Sequence, residues 1–184
     1  AMCMGDSLYA IIGNVSMVKK SAFPRVILPL AMVLANLVNF LLSLVVVFIY
    51  LLIFNGLGHL YLLLPFIILT HVALCFGISL ILSSLNVYFR DVEHIVGIFM
   101  TAWFFVTPVI YPLSLVASRF SPGWYILYFL NPMTGLVTAY RSIFMGTPLP
   151  SADLLALSFA VSWALCGIGL MLFQKLQVRF ADIL

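Results

Sequence analysis

The densest group of chemically reactive side chains in this sequence lies in one short segment. Arg90, Asp91, Glu93 and His94 place a guanidinium, two carboxylates and an imidazole within five positions. Carboxylates beside a histidine can bind a metal ion or exchange protons with a substrate. The group also fills a short break between long apolar runs, where charged residues are expected anyway. We therefore favour a loop cap, in which Arg90 pairs with Asp91 and Asp91 stabilises the N-terminus of the next helix, over a metal or catalytic site.

Other reactive patterns are weak. The three cysteines, Cys3, Cys75 and Cys166, lie far apart and show no metal-type spacing, so we expect them to act as small buried residues. The sequence contains neither a Walker-type phosphate loop nor a nucleophile–base constellation. We therefore predict no catalytic residue, no metal site and no cofactor bound by this chain itself.

Composition places the chain in a membrane. Of its 184 residues, 65% are hydrophobic and only 7% are charged, whereas a soluble domain carries about 25% charged residues. So few charges suffice only if lipid surrounds the middle of the molecule. The net charge of +3 is small and its basic residues are scattered, which argues against a nucleic-acid partner.

Long uniformly apolar runs predict an all-α, polytopic membrane protein, because barrel strands must alternate in polarity. Between Arg25 and Arg90 there is no Asp, Glu, Lys or Arg, which leaves room for two crossings of about 20 residues each. The turn-rich residues 55–59 separate them. We expect four full spans at roughly 27–54, 61–83, 95–111 and 154–174, with residues 6–12 as the end of an earlier helix.

The stretch from 112 to 150 is too apolar for a solvated loop. Prolines and glycines, including Pro112, Pro122 and Pro132, divide it into pieces too short to cross a bilayer. Non-helical backbone at membrane depth must be covered by protein or line a cavity, so we expect re-entrant short helices on the outer side. Two interpretations stay open: an aromatic belt that anchors a loop, or a lid over the outer mouth of a pathway.

Basic residues indicate the orientation, because loops rich in Lys and Arg stay in the cytoplasm. With four crossings, six basic residues fall on one side and two on the other. The six are Lys19, Lys20, Arg25, Arg90, Lys175 and Arg179, and the two are Arg119 and Arg141. The C-terminus is therefore expected to be cytoplasmic.

Three segments are more specific than hydropathy. Residues 14–29 read NVSMVKKSAFPRVILP, and residues 82–94 read LSSLNVYFRDVEH. The third segment begins with TPVIYP at 107–112, continues with NPM at 131–133 and ends with Tyr140-Arg141. In this order they resemble the permeases of ATP-binding-cassette exporters for O-antigen, capsule and teichoic-acid polymers, and the resemblance covers essentially the whole chain.

The resemblance implies a homodimer of six-span permeases in the bacterial cytoplasmic (inner) membrane. A separate ATPase subunit, which would hold ATP and Mg, would dock on the cytoplasmic face, and the passenger would be a lipid-linked polysaccharide. Residues 1–184 would then form a transmembrane permease domain without its cytoplasmic start, its first span and most of its second span.

The resemblance also assigns cytoplasmic roles. Residues of the ATPase-coupling segment would be Lys19, Lys20, Phe23, Pro24 and Arg25. From the residues alone, ordinary positive-inside anchoring is the favoured role of this segment. The second cytoplasmic loop would comprise Asn86, Arg90, Asp91, Glu93 and His94.

On the outer side the resemblance places gating helices. Residues of the outer gate region would be Tyr111, Pro112, Trp124, Asn131, Pro132 and Arg141. Arg141 could meet an anionic group of the passenger or a lipid head, or could serve as an interface anchor. Trp103, Phe104 and Phe105 could offer sliding contacts to a sugar polymer, although aromatic residues are also ordinary in membrane helices.

Polar and small residues inside the spans are expected to serve packing. For Asn36, Asn39 and His71 we expect interhelix hydrogen bonds, and we expect no acidic residue at their depth. Gly167 and Gly169 are expected to permit close helix packing.

Two alternative functions remain open. One is a drug or other small-molecule exporter permease of the same superfamily. The other is a membrane-embedded enzyme acting on lipid-linked sugars, for which only Asp91, Glu93 and His94 could supply the reactive groups. The sequence identifies neither the polymer nor the dimer surface.

Overall fold

The computed structural model describes residues 2–19, 23–54, 59–89, 91–113, 115–116, 126 and 128–184. Within these ranges the regular structure is helical and contains no strand, which confirms the predicted all-α class. The elements are α1 (Met2–Ile12), α2 (Val15–Val18), α3 (Ile27–Phe54), a 3₁₀ turn (His59–Leu63), α4 (Leu64–Tyr88), α5 (Val92–Val106), α6 (Pro132–Met145), α7 (Ala152–Leu176), a second 3₁₀ turn (Gln177–Arg179) and α8 (Phe180–Ile183).

Three helical stretches in the described ranges are long and apolar enough to cross a bilayer. They are Ile27–Ile53, Leu60–Tyr88 and Ala152–Arg179, with 27, 29 and 28 residues. At 1.5 Å per residue each is about 40 Å long, which exceeds a hydrocarbon core of about 30 Å. They coincide with three of the four expected spans, and their presence confirms the membrane class.

The remaining expected span, 95–111, corresponds to the 15-residue helix α5. That helix is about 22 Å long and is therefore shorter than the hydrocarbon core. It ends early because Thr107 takes an extended conformation, with φ −82° and ψ 138°, as residues before a proline commonly do. Pro108, and not Pro112, thus ends the helix, and four full crossings stay a prediction.

Helix α4 is the centre of the fold. It contacts α1, α3, α6 and α7, and apolar side chains gather around its two halves. The Leu74 cluster comprises Met4, Leu44, Leu64, Ile67, Leu74, Ile78, Leu136, Ala139 and Ile143. The Phe173 cluster comprises Ile11, Val18, Leu28, Leu80, Val87, Phe173 and Phe180. By contrast, α3 exposes large apolar residues such as Val46 and Ile53, at 68% and 69%, as a helix in contact with lipid does.

Polar residues within the helices form the expected interhelix bonds at two positions. The His71 ring nitrogen Nδ1 lies 3.4 Å from the Tyr140 hydroxyl, which links α4 to α6. The Asn36 amide donates to the Asp6 carboxylate at 2.8 Å, which links α3 to α1. Asn36 lies nine residues, about 14 Å, into α3, so the expectation that no acidic residue occurs at this depth is wrong. Residues 6–12 were expected to end an earlier helix, so the sequence did not indicate that Asp6 would lie beside Asn36 of α3.

Two glycines bring α4 and α7 into backbone contact. A Cβ built on Gly169 would lie 2.4 Å from the Gly77 carbonyl oxygen, and one built on Gly77 would lie 2.6 Å from the Cys166 Cα. Small residues permit this close approach of membrane helices. A Cβ on Gly167 would meet nothing within 4 Å, so the packing role predicted for both glycines belongs to Gly169 alone.

Replacing Gly169 with alanine should destabilise the protein by about 1–3 kcal/mol, because the added methyl group meets backbone atoms that cannot rotate away. Thermal unfolding of the purified protein in detergent measures this change. Gly167→Ala is the matched control and should leave the midpoint unchanged or raise it slightly, since alanine is the better helix former. Equal losses from both variants would contradict the proposed backbone contact.

Candidate functional site

The proposed coupling segment places its side chains on two opposite sides. Lys19 and Pro24 are exposed, and Lys20 lies outside the described residues. Phe23 is half-buried and packs against the Phe173 cluster. Arg25 is half-buried as well, so these two residues face the protein while Lys19 and Pro24 face outward.

The Arg25 guanidinium binds backbone carbonyls of two distant segments. Its Nε donates to the Val18 carbonyl oxygen at 3.2 Å, and its Nη1 donates to the carbonyl oxygen of Gln177. The last carbonyls of a helix have no partner within that helix, and a cation near a helix C-terminus is favourable. Arg25 therefore holds the C-terminal end of α7 against the segment that precedes α3.

Two residues near the end of α4 act in the same way. The buried Asn86 donates from Nδ2 to the Leu8 carbonyl oxygen at 2.8 Å. The Tyr88 hydroxyl donates to the Leu176 carbonyl oxygen at 3.1 Å. Together with Arg25, these residues form what we call the Arg25 clamp. Sequence reasoning had singled out Asn86 but missed Tyr88, whose signal was a hydroxyl-bearing aromatic residue just before the charged break.

The reactive group of the second loop is dispersed. Asp91 precedes α5 without making a side-chain cap hydrogen bond, and His94 is exposed. The Glu93 carboxylate lies close to the Tyr9 hydroxyl of α1. Arg90 lies outside the described residues, so its pairing with Asp91 stays a prediction. In the described part of the chain, no three His, Cys, Asp or Glu side chains are grouped so that they could hold a metal ion.

Asn131 connects the C-terminal end of α5 to α6. The Trp103 indole Nε1 donates to its side-chain oxygen at 2.7 Å, and its amide Nδ2 donates to the Thr107 hydroxyl at 3.1 Å. The same side-chain oxygen accepts from the Met133 backbone N–H at 3.1 Å and so caps α6, which begins at the buried Pro132. This is the N-cap geometry that asparagine favours.

Two tyrosines bind the last carbonyls of α5. The Tyr111 hydroxyl lies 3.1 Å and 3.0 Å from the carbonyl oxygens of Phe105 and Val106. The Tyr128 hydroxyl contacts both the Tyr111 hydroxyl and the Val106 carbonyl oxygen. Burial, followed by the hydrogen bond with Tyr111, raises the pKa of Tyr128 above its ordinary value, so it remains a neutral donor at physiological pH.

Arg141 completes this arrangement from the last turns of α6. Its Nη1 donates to the Tyr111 carbonyl oxygen at 3.0 Å, and its Nη2 donates to the Val109 carbonyl oxygen at 2.8 Å. Together, four residues form what we call the Arg141 clasp: Arg141, Asn131, Tyr111 and Tyr128. The guanidinium thus holds the irregular backbone after α5, which sequence analysis could not show because both acceptors are main-chain atoms.

The other residues predicted for the outer side fall into three groups. Pro112 is exposed, and Trp124 lies outside the described residues. Trp103 is half-buried and its N–H is bonded to Asn131 of the Arg141 clasp. Phe104 and Phe105 are 46% and 62% exposed, with ring centroids 5.6 Å apart. Of the three suggested pathway aromatics, these two offer ring faces to another molecule.

Comparison with known proteins connects this arrangement to a family. The sequence profile of the ABC-2 type transporter family matches residues 1–145. The chain belongs to the ABC-2 type transporter family. This confirms the resemblance found in the three motifs, and it makes the chain a membrane transport subunit.

Relatives within the ABC-2 type transporter family align over nearly the whole chain. An O-antigen export system permease protein RfbA of Klebsiella pneumoniae is 33% identical over 181 residues, which are 97% of this chain and 68% of the relative. A protein of the same name from Myxococcus xanthus is 34% identical over 187 residues, with the same shares covered. A second Klebsiella pneumoniae protein of that name is 32% identical over 181 residues.

Replacing Asn131 with alanine should cost about 1–3 kcal/mol, because the half-buried Trp103 and the N-terminus of α6 both lose the acceptor for an N–H group. A double-mutant cycle with Trp103→Phe should give a coupling energy of about 1 kcal/mol, as expected for residues in direct contact. Unfolding in mixed detergent micelles provides the free energies.

The control cycle pairs Asn131→Ala with Trp163→Phe, since Trp163 lies on α7 and is 46% exposed. These two changes should be additive within about 0.5 kcal/mol. Additive behaviour of the Asn131 and Trp103 changes would refute the hydrogen bond between them.

Proposed function

We propose that this chain is a permease subunit for ATP-driven export of lipid-linked polysaccharide across the bacterial cytoplasmic membrane. One observation carries the proposal: relatives named O-antigen export system permease proteins align with 97% of the chain at 32–34% identity. Their names favour a polymer over the drug or small-molecule passenger that the sequence alone left open. Membership of a transporter family favours a transport role over an enzyme acting on lipid-linked sugars.

The finer architecture forms part of this proposal. We expect α5 to contribute a fourth crossing together with the irregular backbone that follows it, and we expect the region 112–150 to re-enter the membrane from outside. The Arg141 clasp supports this expectation, because its side chains bind the carbonyls that lipid could not bind. The imbalance of basic residues supports a cytoplasmic C-terminus, and the permease is expected to act as a homodimer.

An ATPase subunit on the cytoplasmic face would supply the energy, with ATP and Mg bound there. Its contact surface on this chain is expected on α2 and the residue after it. Ser16, Met17 and Lys19 are exposed, with Met17 at 43%, whereas Val18 is fully buried. An exposed apolar side chain beside a lysine is suited to a partner with an apolar pocket and an acidic rim.

Within the membrane, Phe104 and Phe105 are the proposed contacts for the polymer. Their rings are exposed in the single copy. Aromatic faces can pack against the C–H faces of sugars without requiring hydrogen bonds at fixed positions. Such weak contacts suit a passenger that must slide.

The experiment that tests this function is reconstitution with a candidate ATPase encoded beside the permease. A stable complex in lipid vesicles, whose ATP hydrolysis rises when lipid-linked polysaccharide is added, is the expected result. A permease that binds no such ATPase, or a complex that responds to amphipathic drugs but not to the polymer, would overturn it.

Reversing the charge of the α2 surface should weaken ATPase binding. Met17→Glu combined with Lys19→Glu should raise the dissociation constant at least about tenfold, which corresponds to 1.4 kcal/mol. Surface plasmon resonance on permease in nanodiscs measures this constant. The charge-matched pair is Lys19→Glu and Lys175→Glu, since both replace an exposed lysine with glutamate. Lys175→Glu should have little effect, and equal weakening by these two single variants would point to a non-specific charge effect.

A further inference from the structure

Arg25 joins two parts of the chain that are 152 residues apart. It binds Val18, seven residues before it, and Gln177, just beyond α7. The two donors belong to one planar guanidinium, whose nitrogen atoms keep fixed relative positions. A displacement of the Val18 carbonyl relative to the Gln177 carbonyl would therefore break at least one bond.

Apolar contacts surround this junction. Phe23 and Val26, on either side of Arg25, pack against the Phe173 cluster. The rings of Phe173 and Phe180 in that cluster lie 5.6 Å apart at 84°. The junction therefore combines a polar link with an apolar contact surface formed by both segments.

The Gln177 side of this junction is also attached to α4. The Tyr88 hydroxyl binds the carbonyl of Leu176, the residue before Gln177, and the Tyr88 ring lies 6.2 Å from that of Phe180. Further along, Gly77 and Gly169 bring α4 and α7 into backbone contact. Helices α4 and α7 are thus held together at two levels, so a movement of the end of α7 would carry α4 with it.

We infer that Arg25 is a positioning residue for coupling: by binding both Val18 at the end of α2 and Gln177 just after α7, it makes α2 and α7 move together. In the proposed function, Arg25 does not contact the ATPase, but it transmits a displacement of the exposed α2 surface to the α4–α7 pair. This inference rests on the proposed function, because the ATPase would cause the displacement. The link formed by Arg25 lies within the permease and does not require the ATPase.

The first test measures the link without any ATPase. Spin labels at positions 16 and 178 report the distance between the α2 surface and the α7 end, since Ser16 and Val178 are exposed. The three native cysteines are replaced by alanine, and the permease is studied in nanodiscs by pulsed electron paramagnetic resonance. Arg25→Gln should broaden the distance distribution relative to the parent protein.

Arg179→Gln is the matched control, because it removes the same charge from an exposed residue two positions after Gln177. Its distribution should equal that of the parent protein. Arg25→Lys keeps the charge but lacks the planar fork, so it should give an intermediate width; it also serves if Arg25→Gln does not fold. A parent-like distribution for the folded Arg25 variants would overturn the inference whatever the ATPase does.

The second test uses the complex with the ATPase. Polymer exported per ATP hydrolysed should fall several-fold in Arg25→Gln, while ATPase binding and hydrolysis stay near those of the parent complex. A role in folding alone would lower the yield of complex but leave this ratio unchanged, and an unchanged ratio would overturn the coupling role. If the parent permease binds no ATPase, the proposed function fails, whereas the distance measurement still decides whether Arg25 links the segments.

Discussion

Backbone carbonyl and amide groups must find partners wherever protein or lipid excludes water, and this constraint explains how the described helices are joined. An unpaired peptide group in an apolar environment costs several kcal/mol. At one end of the fold, Arg25, Asn86 and Tyr88 bind carbonyls of other segments. At the other end, Tyr111 and Arg141 bind the carbonyls around the break after α5. The two groups differ in sequence but meet the same physical need.

This constraint changes the interpretation of the family-like motifs. Charged and aromatic residues before a span suggest an exposed contact surface, yet Arg25 and Phe23 both turn toward the protein. Arg141 likewise uses two of its nitrogens on main-chain oxygens. The side chains left for other molecules are less conspicuous: Met17 beside Lys19, and the rings of Phe104 and Phe105. The side chains that characterise the motifs thus contact the protein itself, whereas side chains close to them in the sequence remain accessible to other molecules.

Features set by local composition could be predicted from the sequence, and features set by distant partners could not. Apolar runs longer than a bilayer core located α3, α4 and α7 because burial in lipid depends on each segment alone. The end of α5 was misplaced because two prolines follow it and hydropathy does not distinguish Pro108 from Pro112. The Arg25 side chain turns toward the protein because it binds Gln177, which is distant in sequence. Gly169, and not Gly167, permits close helix packing because Gly77 of another helix lies against it. No local pattern contains this information.

The attachment of α5 differs from that of its neighbours in a way that bears on transport. Val96 is its buried residue, whereas Ile98 and Phe105 are 75% and 62% exposed. Its polar neighbours lie near its two ends, where Glu93 is close to Tyr9 of α1 and the Trp103 N–H binds Asn131. A helix with few contacts and little burial along its length can shift without disrupting a packed core. By contrast, α4 and α7 cannot separate without opening their backbone contact. The closely packed α4–α7 pair is thus suited to transmitting movement. The lightly packed α5 is suited to responding to it.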